Sequence, residues 1–361
     1  MNPLELRQQC HTVFPGHRAP SPAEQFAAMG AWCEANAARG DYYGEGKVVQ
    51  DFERKVADLL GYPAALFVIS GTMAQTVALR LACEDRGSSL VAMHPTAHIA
   101  LHERSNYQLL NHFKLLTLGD KHRCWTASHL AAVPDRLGAA LYELPMREIG
   151  GQLPDWAALD EIKTACRVRN IHLHLDGARL WEAAAGYGKP LAAVCAGFDS
   201  AYVSFYKGIG GQGGAMLLGS EDFIARARVW MARMGGNVWQ RLPYVVSAAM
   251  QFDARLAQLP ACVQRARELA LVLGAMDGVA VNPPVPQVNM FHLHLPFSEA
   301  TVVAARNRLA QEDGIWLFGG AQAADKLEHA YVEWYVGDQL LAASDAQVRD
   351  AMACFLDYCR A

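Results

Sequence analysis

Apolar and polar positions between residues 47 and 220 follow two alternating periods. In VVQDFERKVADLLG the apolar residues recur every three to four positions, which predicts an amphipathic helix, and the next run, AALFVIS, is typical of a buried strand. The alternation continues through the helical segments TMAQTVALRLAC and DWAALDEIKTACRVRN and the strand-like segments SLVAM, AALYEL, IHLHL, YVSFY and AMLLG. This pattern predicts an α/β fold with a mainly parallel sheet covered by helices on both faces.

The pattern changes in the last third of the chain. After a helical stretch that reaches about Ala275, the strand-like segments VNMFHLHLP and AYVEWYV mix with two helical ones, as in a small α+β domain. The chain has 361 residues, whereas single cores stop growing at about 250–300 residues. We therefore predict an N-terminal arm over residues 1–20, a large domain over 21–250 and a small C-terminal domain over 251–361.

Composition and charge narrow the functional classes. A net charge of −4 without long basic runs argues against nucleic-acid binding. The first residues contain no apolar stretch of the length typical of a secretory leader, and no apolar run reaches about 18 residues, the length typical of a membrane span. Nine cysteines without CxxC pairs indicate neither a disulfide framework nor a metal site. We therefore expect a cytoplasmic, soluble protein that acts on a small molecule.

Three polar groups follow predicted strands, at the sheet edge where α/β proteins bind ligands. Residues 70–72 (SGT) begin a helix and either bind an anion through free N–H groups or only cap the helix. Asp176 and Arg179 follow IHLHL, as a functional pair or a structural ion pair. Lys207 follows YVSFY; most lysines are solvated, but a desolvated amine attacks carbonyl groups. Together they match pyridoxal phosphate (PLP), which needs an anion cradle, a carboxylate and an amine.

Five ordered segments support this interpretation. They are GDYYGEGKVVQDFERKVADLLG, FVISGTMAQ, TAHIALHE, HLHLDGARLWEAA and SFYKGIGGQGGAMLLGS. Their order and spacing resemble those of threonine aldolases and related β-eliminating lyases, closely over residues 40 to 220 and in outline beyond. The resemblance implies the aspartate-aminotransferase-like fold (fold type I) with PLP as cofactor. It also implies a homodimer or homotetramer whose active sites lie at the dimer interface.

The resemblance also implies roles for single residues. Lys207 is similar to the lysine that holds the cofactor, Asp176 to the partner of its pyridine nitrogen, and His98 to a catalytic histidine that stacks on its ring. Tyr43 and Glu45 lie in a segment that approaches the neighbouring subunit's site in the family. The implied cofactor-binding set is Gly71, Thr72, His98, Asp176, Arg179, Ser204 and Lys207.

The chain departs from the family on the substrate side. QQCHTVF replaces an RSDT-like segment, and Glu143 to Arg147 replace a segment that carries a histidine, the candidate base for the substrate hydroxyl. VEWYVGD has Glu333 or Trp334 where the family has an arginine. In GGNVWQ an expected phosphate arginine is Trp239, with Arg241 as a possible replacement. We therefore expect an altered substrate, with Arg179, Arg147 and Glu333 as candidate contacts; Glu333 is equally compatible with a solvated strand residue.

The implied reaction is cleavage of the Cα–Cβ bond of a β-hydroxy-α-amino acid to glycine and an aldehyde. His98, or a water that it holds, would accept the hydroxyl proton. Two alternatives remain open at this point. One is another PLP reaction on the same fold, such as β-elimination, racemisation or transamination, and the other is a binding protein without catalysis.

Overall fold

The computed structural model describes residues 2–361. Its strands are β1 (Thr12–Val13), β2 (Ala64–Val68), β3 (Leu90–Met93), β4 (Lys114–Thr117), β5 (Ala139–Glu143), β6 (His172–Gly177), β7 (Ser200–Ser204), β8 (Ala215–Gly219), β9 (Ala280–Asn282), β10 (Met290–Leu295), β11 (Ile315–Trp316), β12 (Ala321–Ala323) and β13 (Ala330–Tyr335).

The α-helices are α1 (Pro3–Gln9), α2 (Pro22–Ala35), α3 (Lys47–Leu60), α4 (Gly71–Arg86), α5 (His98–His102), α6 (Asn106–Leu109), α7 (Ala127–Ala131), α8 (Trp156–Val168), α9 (Leu180–Tyr187), α10 (Leu191–Cys195), α11 (Glu221–Arg233), α12 (Leu242–Ala249), α13 (Phe252–Gly274), α14 (Glu299–Glu312), α15 (Asp338–Ala342) and α16 (Asp345–Arg360). A 3₁₀ helix covers Arg147–Ile149. None of the helices formed by residues 2–361 is long and apolar enough to cross a membrane.

Contacts divide the chain into two compact units. The larger unit contains Pro20–Glu148 and Leu153–Ala257, and the smaller unit contains the residues up to Ala19, Ile149–Gln152 and Gln258–Ala361. These units are defined by contacts. The domains predicted from the sequence, 1–20, 21–250 and 251–361, stay predictions.

The larger unit contains a seven-stranded sheet of order β2-β8-β7-β6-β5-β3-β4. Strand β8 is antiparallel to both neighbours, β2 and β7, and the other pairs are parallel. Since β5, β7 and β8 are buried along their whole length, they carry continuous apolar runs instead of alternating ones. The predicted α/β fold with a mainly parallel sheet is confirmed.

Helices cover both faces of this sheet. Leu66 and Val68 of β2 pack in one hydrophobic cluster with side chains of α4 and α11, whereas Phe67, which points to the opposite face, stacks on Phe205 beside Phe52 of α3. Because β5, β6 and β7 are parallel neighbours, their carboxyl ends lie at one common edge of the sheet. Glu143, Asp176 and the segment after Ser204 meet at this edge.

The smaller unit contains an antiparallel sheet of order β12-β13-β10-β9 and a parallel pair, β1 with β11. Strand β13 alternates buried and half-buried residues. Its buried side chains, such as Val332 and Trp334, pack in one core with residues of α14 and α16. This alternation is typical of a sheet that is packed against helices on one face.

Candidate active site

A small, largely enclosed cavity lies at the carboxyl edge of the large sheet. Its lining residues come from the first turns of α4, from α5 and the residue after it, and from β5, β6 and β7 and the segments that follow these strands. They are Gly71, Thr72, Gln75, His98, Glu103, Glu143, Arg147, Asp176, Ala178, Arg179, Tyr202, Tyr206 and Lys207. The sequence-predicted residues Lys207, Asp176, His98, Gly71, Thr72, Arg179 and Arg147 are therefore brought together in one cavity.

Asp176 is the carboxylate at the end of β6, and only 1% of its surface is exposed. The side-chain amide of Gln75, on α4, donates a hydrogen bond of 2.9 Å to Oδ2. The backbone N–H of Ala178 donates one of 3.1 Å to Oδ1. Donors from two elements thus fix the orientation of the carboxylate toward the cavity.

Lys207 lies three residues beyond the end of β7. Burial lowers the pKa of its amine, the guanidinium of Arg179 lowers it further, and the carboxyls of Asp176 and Glu143 act in the opposite direction. A lysine with a lowered pKa is more often neutral near pH 7. Because only the neutral amine attacks a carbonyl carbon, this environment favours Lys207 as a nucleophile.

Glu143 is the second carboxyl group at this edge. It ends β5, is the register partner of Asp176 on β6 and is 8% exposed. The backbone N–H of Arg147 donates a hydrogen bond of 3.2 Å to its Oε1. Burial and the nearby Asp176 raise the pKa of Glu143 to about 8. This side chain is therefore largely neutral at pH 7.

His98 and Glu103 lie on the α5 side of the cavity. Thr72 donates a hydrogen bond of 2.8 Å to Glu103 Oε1, and the same oxygen lies 3.5 Å from His98 Nε2. Burial lowers the pKa of His98, although 40% of its side chain remains exposed. Burial also raises the pKa of Glu103. His98 is therefore mainly neutral at pH 7 and can accept a proton.

Gly71 is the first residue of α4, and the hydroxyl of Ser70 caps this helix by accepting from the N–H of Met73 at 3.3 Å. A Cβ at Gly71 would lie 2.1 Å from Tyr202 Oη and 2.4 Å from Tyr202 Cζ. Only glycine lets the phenol ring lie against the start of the helix. The tyrosine hydroxyl in turn lies 3.2 Å from the hydroxyl of Tyr206, which also lines the cavity.

A charged network borders the cavity next to Arg147. Glu148 Oε1 accepts from Arg147 Nη1 at 2.7 Å and lies 2.9 Å from His102 Nε2. The ring of His102 is tilted by 36° against that of His98, with 4.9 Å between the centroids. Glu148 thus connects the helix that carries His98 to the turn that carries Arg147.

Two other sequence-predicted residues lie elsewhere. Ser204 is fully buried, and its hydroxyl donates a hydrogen bond of 2.7 Å to the carbonyl of Ala178, so that it supports the backbone after Asp176. Glu333 belongs to the smaller unit, on β13 opposite His292 of β10.

Arg241, the possible replacement for the phosphate arginine, is 1% exposed. Its guanidinium donates to the carbonyl of Phe67 at 3.2 Å and to the side chain of Asn237 at 3.0 Å. Its backbone N–H and that of Gly44 both donate to Asp41. Arg241 therefore stabilises the turn around residues 41–46 and is committed to internal contacts.

Aromatic side chains surround the same turn. Trp239 is 56% exposed and Tyr43 47% exposed, with 5.1 Å between their ring centroids. The N–H of Tyr43 donates a hydrogen bond of 2.9 Å to the carbonyl of Trp239. Glu45 is exposed beside them. At the position of the family's phosphate arginine, the chain thus presents an exposed aromatic pair.

Sequence reasoning missed several cavity residues. Gln75 follows Gly71 by four positions, so the two lie on one face of α4, and this spacing would have pointed to it. Glu103 ends the family-like segment TAHIALHE, and Glu143 was noted only as the first residue of the segment that lacks the family's histidine. Tyr202 and Tyr206 gave no polar signal because they belong to an aromatic strand and the turn after it.

Three features meet at one edge of this sheet: a lysine with a lowered pKa, a carboxylate that accepts from two donors, and a helix whose first residue is glycine. Together they define a PLP-dependent enzyme of fold type I. The sequence profile of the β-eliminating lyase family matches residues 21–296. The chain belongs to this family.

Similar known proteins indicate which type of PLP-dependent lyase the chain is. The structure of a candidate L-allo-threonine aldolase from Listeria monocytogenes EGD-E is similar, with a TM-score of 0.90 and 34% identity over 99% of both chains. A candidate aromatic amino acid β-eliminating lyase/threonine aldolase from Exiguobacterium sp. 255-15 shares a TM-score of 0.90 and 36% identity, also over 99% of both chains. Low-specificity L-threonine aldolase 1 from Arabidopsis thaliana is 26% identical over 78% of this chain and 81% of its own length. The protein is a PLP-dependent lyase of the threonine aldolase type.

The residues of the cavity fit the cofactor. The start of α4 gives backbone N–H groups for a phosphate, since the first N–H groups of a helix have no partners within it. Asp176 offers a buried anion for a protonated pyridine nitrogen, and Lys207 offers an amine with a lowered pKa for the aldehyde. The half-exposed ring of His98 lines the same space.

Proposed function

We propose that the protein cleaves the Cα–Cβ bond of a β-hydroxy-α-amino acid related to threonine and releases glycine and an aldehyde. The observation that carries the proposal is the common cavity of Lys207, Asp176 and His98, which combines a reactive amine, an anion and a neutral base. The relatives named as L-threonine aldolases support the substrate class.

The cofactor would be held by residues from three elements. Lys207 would bind its aldehyde, Asp176 its pyridine nitrogen, and Gly71 and Thr72 its phosphate. Ser204 would act through the backbone of Ala178, to which its hydroxyl donates. When bound, PLP withdraws electrons from the substrate Cα. The chain then has to orient the substrate, exclude water and move one proton.

Two cations of the cavity, Arg179 and Arg147, would hold the substrate carboxylate, and Arg179 would orient the Cα–Cβ bond. Arg147 is held by Glu148, so its guanidinium is kept near the cavity before a substrate arrives. His98, neutral at pH 7 because burial lowers its pKa, would accept the hydroxyl proton. We keep Glu333 as a candidate contact for a longer substrate.

Product analysis tests the proposal directly. The purified protein is supplied with PLP and then with L-threonine, L-allo-threonine or phenylserine, and products are identified by mass spectrometry. Equal amounts of glycine and an aldehyde support the proposed reaction. Ammonia with a keto acid would replace it by elimination, and turnover of none of the three would contradict the substrate class.

Cofactor attachment is tested separately. Borohydride reduction followed by peptide mapping should find PLP linked to Lys207, and Lys163, a buried lysine of the larger unit, serves as the internal comparison. Label on another lysine would contradict the assignment of Lys207 while leaving the reaction class open.

We also propose a homodimer or homotetramer with active sites at the dimer interface, formed in the cytoplasm. The exposed aromatic pair Tyr43 and Trp239 supports an interface, since large exposed aromatic side chains are enriched at such surfaces. None of the nine cysteines, all within the described residues, forms a disulfide bond, which suits a reducing compartment. Light scattering coupled to gel filtration gives the molar mass, and a monomer would contradict the proposal.

A further inference from the structure

We propose that Glu143 is a positioning residue that stays a neutral carboxylic acid, so that Asp176 carries the negative charge of this carboxyl pair and the amine of Lys207 stays reactive. The inference deepens the proposed function and rests on the PLP site described there. It concerns Glu143, which the sequence marked only as the first residue of the segment that lacks the family's histidine.

The strand register puts the two carboxyls side by side. Glu143 and Asp176 are Cα partners on the neighbouring parallel strands β5 and β6, so their side chains leave the sheet on the same face. Both line the same cavity and are nearly buried, at 8% and 1% exposure. Two carboxyls in one enclosed site resist carrying two charges, and one of them keeps a proton.

Hydrogen-bond donors decide which carboxyl keeps the proton. Asp176 accepts from Gln75 and from the backbone N–H of Ala178, one donor on each oxygen. The structure gives Glu143 one backbone donor, the N–H of Arg147, on Oε1. Because hydrogen bonds from donors favour the charged form, the negative charge is better stabilised on Asp176.

The groups whose charge affects Glu143 lie at the carboxyl ends of the neighbouring strands β6 and β7 and in the segments that follow them. Asp176 opposes its ionisation, whereas Lys207 and Arg179 favour it, and the backbone of Arg147 favours it as well. Burial is the largest effect, and with Asp176 it outweighs the cations, raising the pKa of Glu143 to about 8. At pH 7 the proton therefore remains on Glu143.

The consequence concerns Lys207. The charge of Glu143 raises the pKa of the lysine, in opposition to burial and Arg179. A neutral Glu143 withholds that charge, so the amine loses its proton more readily and would be the better nucleophile for the aldehyde of a bound cofactor. When Glu143 ionises above about pH 8, a second anion competes for the cations of the site.

Infrared difference spectroscopy on the PLP-free protein tests the protonation directly. We expect a carbonyl band of a protonated carboxyl group at pH 7 that disappears above pH 8 and is absent in Glu143→Gln. Glu161→Gln, on the exposed side of α8, should keep the band. The absence of a titrating band in the wild-type protein, which needs no folded variant, would overturn the proposal, and so would persistence of the band in Glu143→Gln.

Cofactor affinity gives the second readout. Between pH 7 and pH 9 the dissociation constant of PLP should rise in the wild-type protein by about tenfold more than in Glu143→Gln. A tenfold change corresponds to one pH unit, the difference between pH 9 and the pKa of Glu143, about 8. Equal pH dependence in both proteins would contradict the positioning role. Both readouts are independent of threonine cleavage, so a protein that binds PLP but performs another reaction leaves this inference intact.

Discussion

The two ends of strand β6 bury polar side chains in opposite ways. At the carboxyl end, Asp176 shares a cavity with Lys207 and Glu143, and charges of both signs remain close to one another. At the amino end, His172 Nε2 and His174 Nδ1 both lie 2.7 Å from the hydroxyl of Ser200. Burial lowers the pKa of His172 to about 4 and that of His174 to about 3, so both rings stay neutral.

The difference separates a site from a structural cluster. The histidine–serine cluster, formed by His172, His174 and Ser200, joins two neutral rings through one hydroxyl, and its side chains are at most 5% exposed. The carboxyl end keeps a lysine with a lowered pKa and a glutamate with a raised one beside a cavity. Opposed pKa shifts next to an open space are typical of catalytic sites, whereas a closed neutral cluster contributes to stability.

The largest expected effect comes from Lys207→Ala, which should abolish turnover because no other group replaces its amine at the end of β7. Product formation per folded protein is the measurement. His172→Gln, at the amino end of β6, is the matched control and should keep the wild-type rate. Comparable activity of both variants would break the distinction between the two ends.

Acid should unfold the protein through the histidine–serine cluster. The folded pKa values of His172 and His174, about 4 and 3, lie below the unfolded value near 6.5. Stability is therefore lost as pH falls from about 6.5 toward 3, in total on the order of 8 kcal/mol. Urea unfolding at several pH values should show a shallower acid loss for His172→Gln/His174→Gln. An unchanged acid slope would remove the cluster from this role.

Asp176→Asn should lower kcat by roughly a hundredfold, because the amide cannot pair as an anion with a protonated nitrogen. The variant keeps its size and its contact to the N–H of Ala178, so thermal stability should change little. The ratio of kcat to that of the wild-type protein is the measurement. A near-normal kcat would show that the anion of this pair resides on Glu143 instead.

Gly71→Ala should destabilise the larger unit by about 1–3 kcal/mol, the usual cost of overpacking. The new Cβ would meet the phenol of Tyr202, including ring carbon Cζ at 2.4 Å, so removing the hydroxyl alone cannot relieve it. Denaturant unfolding measures the loss. Gly30→Ala is the matched control, because an added Cβ meets open space there. Gly188→Ala is unsuitable, because that glycine has a left-handed backbone.

The smallest effect should follow from Glu148→Gln. The change weakens the charged contacts that Glu148 makes with Arg147 and His102, which at a partly exposed site is worth about 1 kcal/mol or less. We expect a KM increase of about threefold with little change in kcat. A large fall in kcat would instead make this network part of the proton transfer. The expected difference between the residues that line the cavity and the charged network at its border would then be lost.

Local pattern was sufficient for much of the fold and for the main site residues. Lys207, Asp176 and Gly71 each follow a segment that is typical of a strand, and ligands of such sheets bind at the carboxyl ends of the strands, so their meeting could be predicted without coordinates. The chemistry of an amine, an anion and a helix start then pointed to PLP.

The sequence by itself thus determined the α/β class, the sheet edge at which the cavity lies and the meeting of Lys207, Asp176 and Gly71 there, because periodicity and strand ends are local properties. Only the tertiary structure decided the partners: Gln75 with Asp176, Thr72 with Glu103, and Ser200 between His172 and His174. It also decided that Ser204 supports Ala178 and that Ile149–Gln152 joins the smaller unit. These contacts join positions far apart in the chain, and which donor reaches which acceptor depends on how the elements pack.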